Sequence, residues 1–246
     1  MHTDTVISLI DRLAADYLTT SGWVESIQNG EPLDLHGPVP WITCSATRYL
    51  SKIVQSDYRV LEFGAGNSTR WWAERVSELV SVEHDPTWAE AVKNRNLPNV
   101  TVIERAMGDA IPYEHSEVFM REFYPLQLAA KESADPTRNY RAGLLDHEFH
   151  SYASVLLDYP TGYFNIIVVD GMARVLTAWL ASRQLADDGM IVFDNSDRDE
   201  YSDAYRYLEQ IGFARIDFSG IGPLNTYEWC TSLFVKSVRP LIKGRS

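Results

Sequence analysis

The fold turns on the stretch Arg59-Val60-Leu61-Glu62-Phe63-Gly64-Ala65-Gly66-Asn67-Ser68-Thr69 and on its continuation as far as Asp85. Val60, Leu61 and Phe63 make a short apolar run of the kind that forms a buried parallel strand. Gly64 and Gly66 then let the backbone turn tightly and let a ligand approach it. Asn67 is expected as a helix N-cap, with Ser68 and Thr69 behind it and helical residues to about Val76. A second strand, Leu79 to Val82, ends in Glu83. Strand, glycine turn, helix, strand and acid are the opening unit of a nucleotide-binding α/β fold.

The charge at the turn narrows the ligand. A dinucleotide site offers a bare helix N-terminus to a pyrophosphate. Here Glu62 stands just before the first glycine, and a carboxylate there repels phosphate but suits an ammonium group. Glu83 lies 19 residues beyond Gly64, where a carboxylate can take both hydroxyls of a ribose. Glu62-x-Gly64-x-Gly66, followed by an acid after the second strand, resembles motif I and the ribose acid of class I S-adenosylmethionine (SAM) methyltransferases. The resemblance covers about residues 58–236 and implies SAM as cofactor. The expected cofactor-binding residues are Glu62, Gly64, Gly66, Ser68, Thr69, Glu83 with its neighbour His84, and Asp109 with Ala110. Ser68 and Thr69 would hold the cofactor's carboxylate or simply cap the helix. Asp109, beyond the third strand, would accept the adenine amino group or belong to a surface turn.

Composition sets the limits. The 246 residues suffice for one large α/β domain with additions, and a hydrophobic content of 45% provides for a sizeable core. A formal net charge of −12, with no basic stripe before the last ten or so residues, argues against a nucleic-acid groove. Cys44 and Cys230 lack metal or redox spacing and are expected as reduced core thiols of a cytoplasmic protein. No signal peptide is expected, and no run of 18 apolar residues occurs, so no membrane association is expected. The partner expectations are a small-molecule substrate, or SAM alone, and a second copy of the chain in a homodimer.

Helical spacing over Thr3–Leu18, about Gly22–Gln28 and about Ser45–Val54 predicts an N-terminal helical cap over residues 1–56. Residues 57–246 then form the SAM-binding α/β domain. Asp85-Pro86 opens a helix, Val100–Ile103 is the third strand, and Phe164-Asn165-Ile166-Ile167-Val168-Val169 is a continuous central strand ending in Asp170. Gly189 to Asp194 is the fifth strand, and Phe213–Phe218 with Tyr227–Val235 close the sheet as an antiparallel hairpin. The expected architecture is a Rossmann-like class I methyltransferase fold, with a seven-stranded, mostly parallel sheet and an antiparallel last strand. Residues 112–160 interrupt the alternation with many aromatics and are expected as an inserted lid. Within them, His147-Glu148-Phe149-His150 misses the spacing of a helical zinc site.

Two groups of residues are candidates for chemistry. Asp170 with Asp194-Asn195 resembles the Mg²⁺ ligands of catechol-type O-methyltransferases, and oxygen ligands suit Mg²⁺. Those enzymes place a basic lysine three residues after the first acid. Here that residue is Ala173, followed by Arg174, which cannot act as a base. Mg²⁺ is therefore the less favoured reading, and the three residues are expected as polar contacts, with Asp170 in a catalytic role. Arg138-Asn139-Tyr140-Arg141 in the insertion is the other group, with Asn139 and Tyr140 as catalytic candidates that position the reacting groups. Tyr140 or Tyr152 would hold a sulfonium by cation–π attraction. The leading function is methyl transfer to a small metabolite. One rival resembles azetidine-2-carboxylate synthases, in which SAM cyclises and expels methylthioadenosine. The other is a SAM-binding regulator without catalysis.

Overall fold

The computed structural model describes residues 3–123, 147–238 and 241. Its N-terminal part comprises helices α1 (Thr3–Leu13), α2 (Trp23–Asn29) and α3 (Cys44–Ile53), with a two-residue ladder, β1 (Leu33–Asp34) and β2 (Gly37–Pro38), between α2 and α3. The main sheet comprises β3 (Arg59–Phe63), β4 (Glu78–Glu83), β5 (Val100–Glu104), β6 (Phe164–Val169), β7 (Leu185–Asp194), β8 (Ala214–Gly220) and β9 (Trp229–Val235). Its order is β5-β4-β3-β6-β7-β9-β8, and β9 alone runs against the direction of the other six strands. The expected seven-stranded sheet with an antiparallel last strand is present, with that strand inside the sheet between β7 and β8 rather than at its edge.

The period of two explains how this sheet is buried on both faces. Leu61 and Phe63 of β3 enter one core with Val80, Val82, Ile167 and Phe193. Val60 enters the other with Trp71, Trp72, Leu79, Ile166 and Val192. Glu62 shares the face of Val60, so its carboxylate is carried into the layer beneath helix α4 (Asn67–Ala73). Residues 1–56 differ along their length in how they pack. Ile7, Ile10 and Leu13 of α1 are about half exposed, whereas Ala46, Leu50 and Ile53 of α3 are buried in the same core as Val60.

Register positions the site. Phe63 pairs with Val82 on one side and with Val169 on the other. Val169 pairs with Phe193 in turn. The residues just beyond these pairs, or at their end, are Gly64, Glu83, Asp170 and Asp194, and they emerge side by side along the carboxyl edge. The strand order reverses between β3 and β6, and a crevice at such a reversal is where open α/β sheets bind ligands.

Residues 124–146 of the expected lid lie outside the described residues, Arg138, Asn139, Tyr140 and Arg141 among them. Tyr113 and Met120 of its described flanks are exposed, whereas other flanking residues enter the core. Phe119, Phe149 and Tyr152 are buried among the sheet's apolar side chains. Tyr152 packs against Phe63 at 5.3 Å and donates a 3.3 Å hydrogen bond to the Val82 carbonyl. The expectation that it faces a sulfonium is corrected, because its ring is fully buried. Among the described residues, no helix is long and apolar enough to cross a membrane.

Candidate functional site

A cavity of about 670 Å³ opens at the reversal, and its walls include Gly64, Gly66, Glu83, His84, Trp88 and Asp170. Gly64 has φ +97°, and a Cβ on it would lie 2.8 Å from the Asp170 carbonyl oxygen. Only glycine satisfies both the left-handed backbone and this close approach. Gly66, not Asn67, is the helix N-cap, and Asn67 is the first residue of α4. The Thr69 hydroxyl accepts the Gly66 N–H at 2.9 Å and donates to Glu62 Oε2 at 2.7 Å. Thr69 is therefore a buried brace of the turn and does not line the cavity, which corrects its expected contact with the cofactor. Ser68 does line it.

Glu62 is buried beneath the turn and does not line the cavity, which corrects its expected direct contact with the cofactor. Its Oε2 also accepts the Ser81 hydroxyl at 2.7 Å, while Oε1 has no hydrogen bond of good geometry. Burial raises its pKa from 4.5 to about 7, opposed by the hydroxyls of Ser68, Ser81 and Thr69. A carboxylate with one unsatisfied oxygen under a glycine turn fits a cationic ligand and opposes an anionic one.

Glu83 is used more completely than its spacing implies. Its Oε2 accepts the Ala65 N–H at 3.0 Å, and its Oε1 accepts the His84 and Asp85 N–H groups at 2.8 and 2.9 Å. A carboxylate offers about four acceptor positions, so roughly one remains, on Oε2. The expected grip on both ribose hydroxyls is thus reduced to one. His84 lines the cavity, with its ring edge-on to Phe149 at 5.7 Å. Asp109 and Ala110 are exposed and outside the cavity wall. Asp109 Oδ2 accepts the Ala106 N–H at 2.7 Å, closing its own turn. The adenine contact expected of this pair is not formed by the arrangement seen.

Sequence reasoning missed several wall residues. Trp88 donates its indole N–H to the Ala65 carbonyl, and the Arg95 guanidinium donates to the Gly66 carbonyl at 2.9 Å and to Asn67 Oδ1 at 3.2 Å. An exposed tryptophan on the polar face of a short helix was the available signal for Trp88. Nothing local marks Arg95.

At the ends of β6 and β7 a guanidinium takes the place assigned to a cation. Arg174 donates to Asp170 Oδ1 at 3.1 Å, to Asn195 Oδ1 at 3.0 Å and to the Asp194 carbonyl at 2.6 Å. Ala173 and Asn195, in left-handed backbone at φ 48° and 54°, bend the chain so that this can happen. Asp194 Oδ1 also accepts the Trp229 indole at 3.0 Å and the Thr231 hydroxyl at 2.5 Å. The three residues do not fit Mg²⁺, because a fixed positive charge already sits among them. Burial raises the Asp170 pKa well above the usual carboxylate range, and the charge of Asp194 adds to this while Arg174 opposes it. Burial also raises that of Asp194.

No family model and no curated protein matches the chain. Solved structures do. A methyltransferase-like protein from Silicibacter pomeroyi superposes with a TM-score of 0.50 at 18% identity, over 80% of this chain and 88% of that one. A methyltransferase from Geobacter sulfurreducens superposes at 0.47 and 11% identity, over 96% and 92%. Spermidine synthase from Thermotoga maritima gives 0.49 at 12% identity over 81% of this chain, which spans 61% of that enzyme's length. Strand order, the antiparallel last strand and the first of these superpositions agree that the chain has the Rossmann-like fold of the class I methyltransferases.

Proposed function

We propose that the protein is a SAM-dependent methyltransferase acting on a small molecule. The observation that carries this is a pair of abutting cavities. The larger is lined by the glycine turn and Glu83, and a second of about 290 Å³ shares Asp170 and Trp41 with it. Two ligands can therefore meet at Asp170. SAM supplies an electrophilic methyl group on a sulfonium. The remaining contributions are those of the chain. Glu62, beneath the turn, would have its ionised form favoured by an ammonium held above it. Ser68 and Arg95 are the donors available to a carboxylate. Glu83 Oε2 offers one acceptor position to a ribose hydroxyl, and His84 and Trp88 flank the space for a purine. Methyl transfer depends on alignment more than on acid–base help, so rigid walls are the main requirement.

The test is to titrate SAM calorimetrically, then incubate the protein with SAM and identify the sulfur product by mass. Binding with S-adenosylhomocysteine formed only when an acceptor is present supports the proposal. Accumulation of methylthioadenosine without acceptor would replace it with self-cyclisation. Tight binding with neither product across an acceptor panel would replace it with a regulator.

A further inference from the structure

The second cavity has a chemistry of its own. Trp41, Tyr227 and Trp229 are its aromatic walls, and Asp170, Asp194 and Arg198 supply its charges. Trp41 is 49% exposed and Tyr227 64% exposed. Trp41 is nevertheless fixed: its indole N–H donates to Asn225 Oδ1 at 2.6 Å, and the Asn225 carbonyl accepts from Trp23 at 2.9 Å. Tyr227 sits 6.0 Å from the Trp229 ring. Held aromatic faces that remain open to solvent beside carboxylates have the makings of a cation site.

The charge count agrees. The Asp170 carboxylate faces the buried Arg174 guanidinium, which also takes the Asp194 backbone carbonyl, and the Asp194 carboxylate accepts the Trp229 indole and the Thr231 hydroxyl, so two acids stand beside one internal cation at the deep end. Arg198, at the rim, is half exposed and faces Glu200 at 3.7 Å. Asp170 Oδ1 is engaged by Arg174, and its side chain is still 23% exposed. An anion entering here would meet two carboxylates, and a neutral ligand would forgo both the charge and the aromatic faces.

We propose that this cavity is the acceptor subsite and that it takes a small primary or secondary organic amine as its cation. The proposal rests on the methyltransferase reading. Asp170 is placed to accept one N–H proton from the bound ammonium, which leaves the nitrogen its lone pair and Asp170 a neutral carboxylic acid.

The test uses the full chain without SAM. Benzylamine, benzyl alcohol and benzoate are titrated by calorimetry, and SAM is titrated separately. Benzylamine is expected to bind at about 1 mM or better, roughly tenfold tighter than benzyl alcohol, with benzoate weakest. Tyr227→Ala should weaken benzylamine about two- to fivefold and leave SAM affinity unchanged, since Tyr227 does not line the larger cavity. Asp170→Asn should remove the preference for amine over alcohol, with melting temperature checked to confirm folding. Equal or tighter binding of the alcohol or benzoate, no benzylamine binding, or an unaffected Tyr227→Ala variant would overturn the proposal. Failure of SAM to bind while benzylamine does would instead overturn the cofactor reading.

Discussion

The two pairs of carboxylates along the carboxyl edge of the sheet differ in whether a cation is built in beside them. Glu62 and Glu83, at the first turn, are satisfied mostly by neutral donors of the chain itself: two hydroxyls for Glu62, three backbone N–H groups for Glu83. Asp170, at the end of β6, is ion-paired to the buried Arg174 guanidinium, which also takes the Asp194 backbone carbonyl, while the Asp194 carboxylate accepts the Trp229 indole and the Thr231 hydroxyl. Neutral donors satisfy hydrogen bonds without adding a counter-charge, so the first pair shapes the backbone, and a cationic ligand would favour the ionised form of Glu62, whose pKa burial raises to about 7. A guanidinium cancels charge, so the second pair keeps its geometry with only part of its field. One pair builds the walls of a site, and the other tunes what can enter beside it.

The largest effect is expected where that compensation is removed. Arg174→Met would leave the Asp170 carboxylate without its ion-pair partner and the Asp194 carbonyl without its donor, and is expected to cost about 3–5 kcal/mol of stability, measured by denaturant unfolding. Arg174→Lys should recover little, because one ammonium cannot reproduce the several directed contacts of the guanidinium. A stable Arg174→Met protein would mean that the two ends of the sheet are not different in the way described.

The next effect tests the first pair. Glu83→Gln replaces an acceptor of backbone N–H groups with a partial donor. It is expected to lower SAM affinity by on the order of 1.5–3 kcal/mol and to lower the melting temperature as well. Lost affinity at an unchanged melting temperature would show that the turn does not depend on Glu83, and would restore it to a purely ligand-binding role.

Glu62 sharpens the comparison through pH. Its folded pKa of about 7 exceeds the ordinary 4.5, so between those values the folded chain binds more protons than the unfolded chain. Stability contributed by this group is therefore complete below about pH 4.5 and is lost as pH rises to about 7. Glu62→Gln, which cannot titrate, should be on the order of 3 kcal/mol more stable than the parent at pH 8, equal to it near pH 4, and a weaker binder of SAM. Parallel stability profiles for the two proteins would count against a buried, titrating Glu62.

The smallest effect is expected at Asp109. Asp109→Asn alters an exposed turn and should change stability by less than about 0.5 kcal/mol and leave SAM affinity alone. A clear loss of affinity would return Asp109 to the adenine site.

What the sequence determined by itself was local and periodic. The apolar run before Gly64, the two glycines, the β-branched run before Asp170 and the acid-ended strands specify parallel strands and a turn that only small residues can make, because backbone sterics and side-chain alternation act within a few residues. That sufficed for the fold, for the glycine turn and for Ser68, Glu83, His84 and Asp170 on the cavity wall. Tertiary structure alone decided how those acids are used. Spacing located Glu83 without revealing that Ala65, His84 and Asp85 occupy most of its oxygens. Arg174 was visible as a residue that cannot be a base. Its position among Asp170, Asp194 and Asn195 depends on left-handed turns at Ala173 and Asn195, and neither residue advertises that conformation. Thr69 turned inward and Asp109 outward for the same reason: a polar side chain bonds to whichever donor or acceptor the fold brings near. The second cavity joins Trp41 to Asn225 across 184 residues, a contact that exists only once the sheet has closed and that no local pattern encodes.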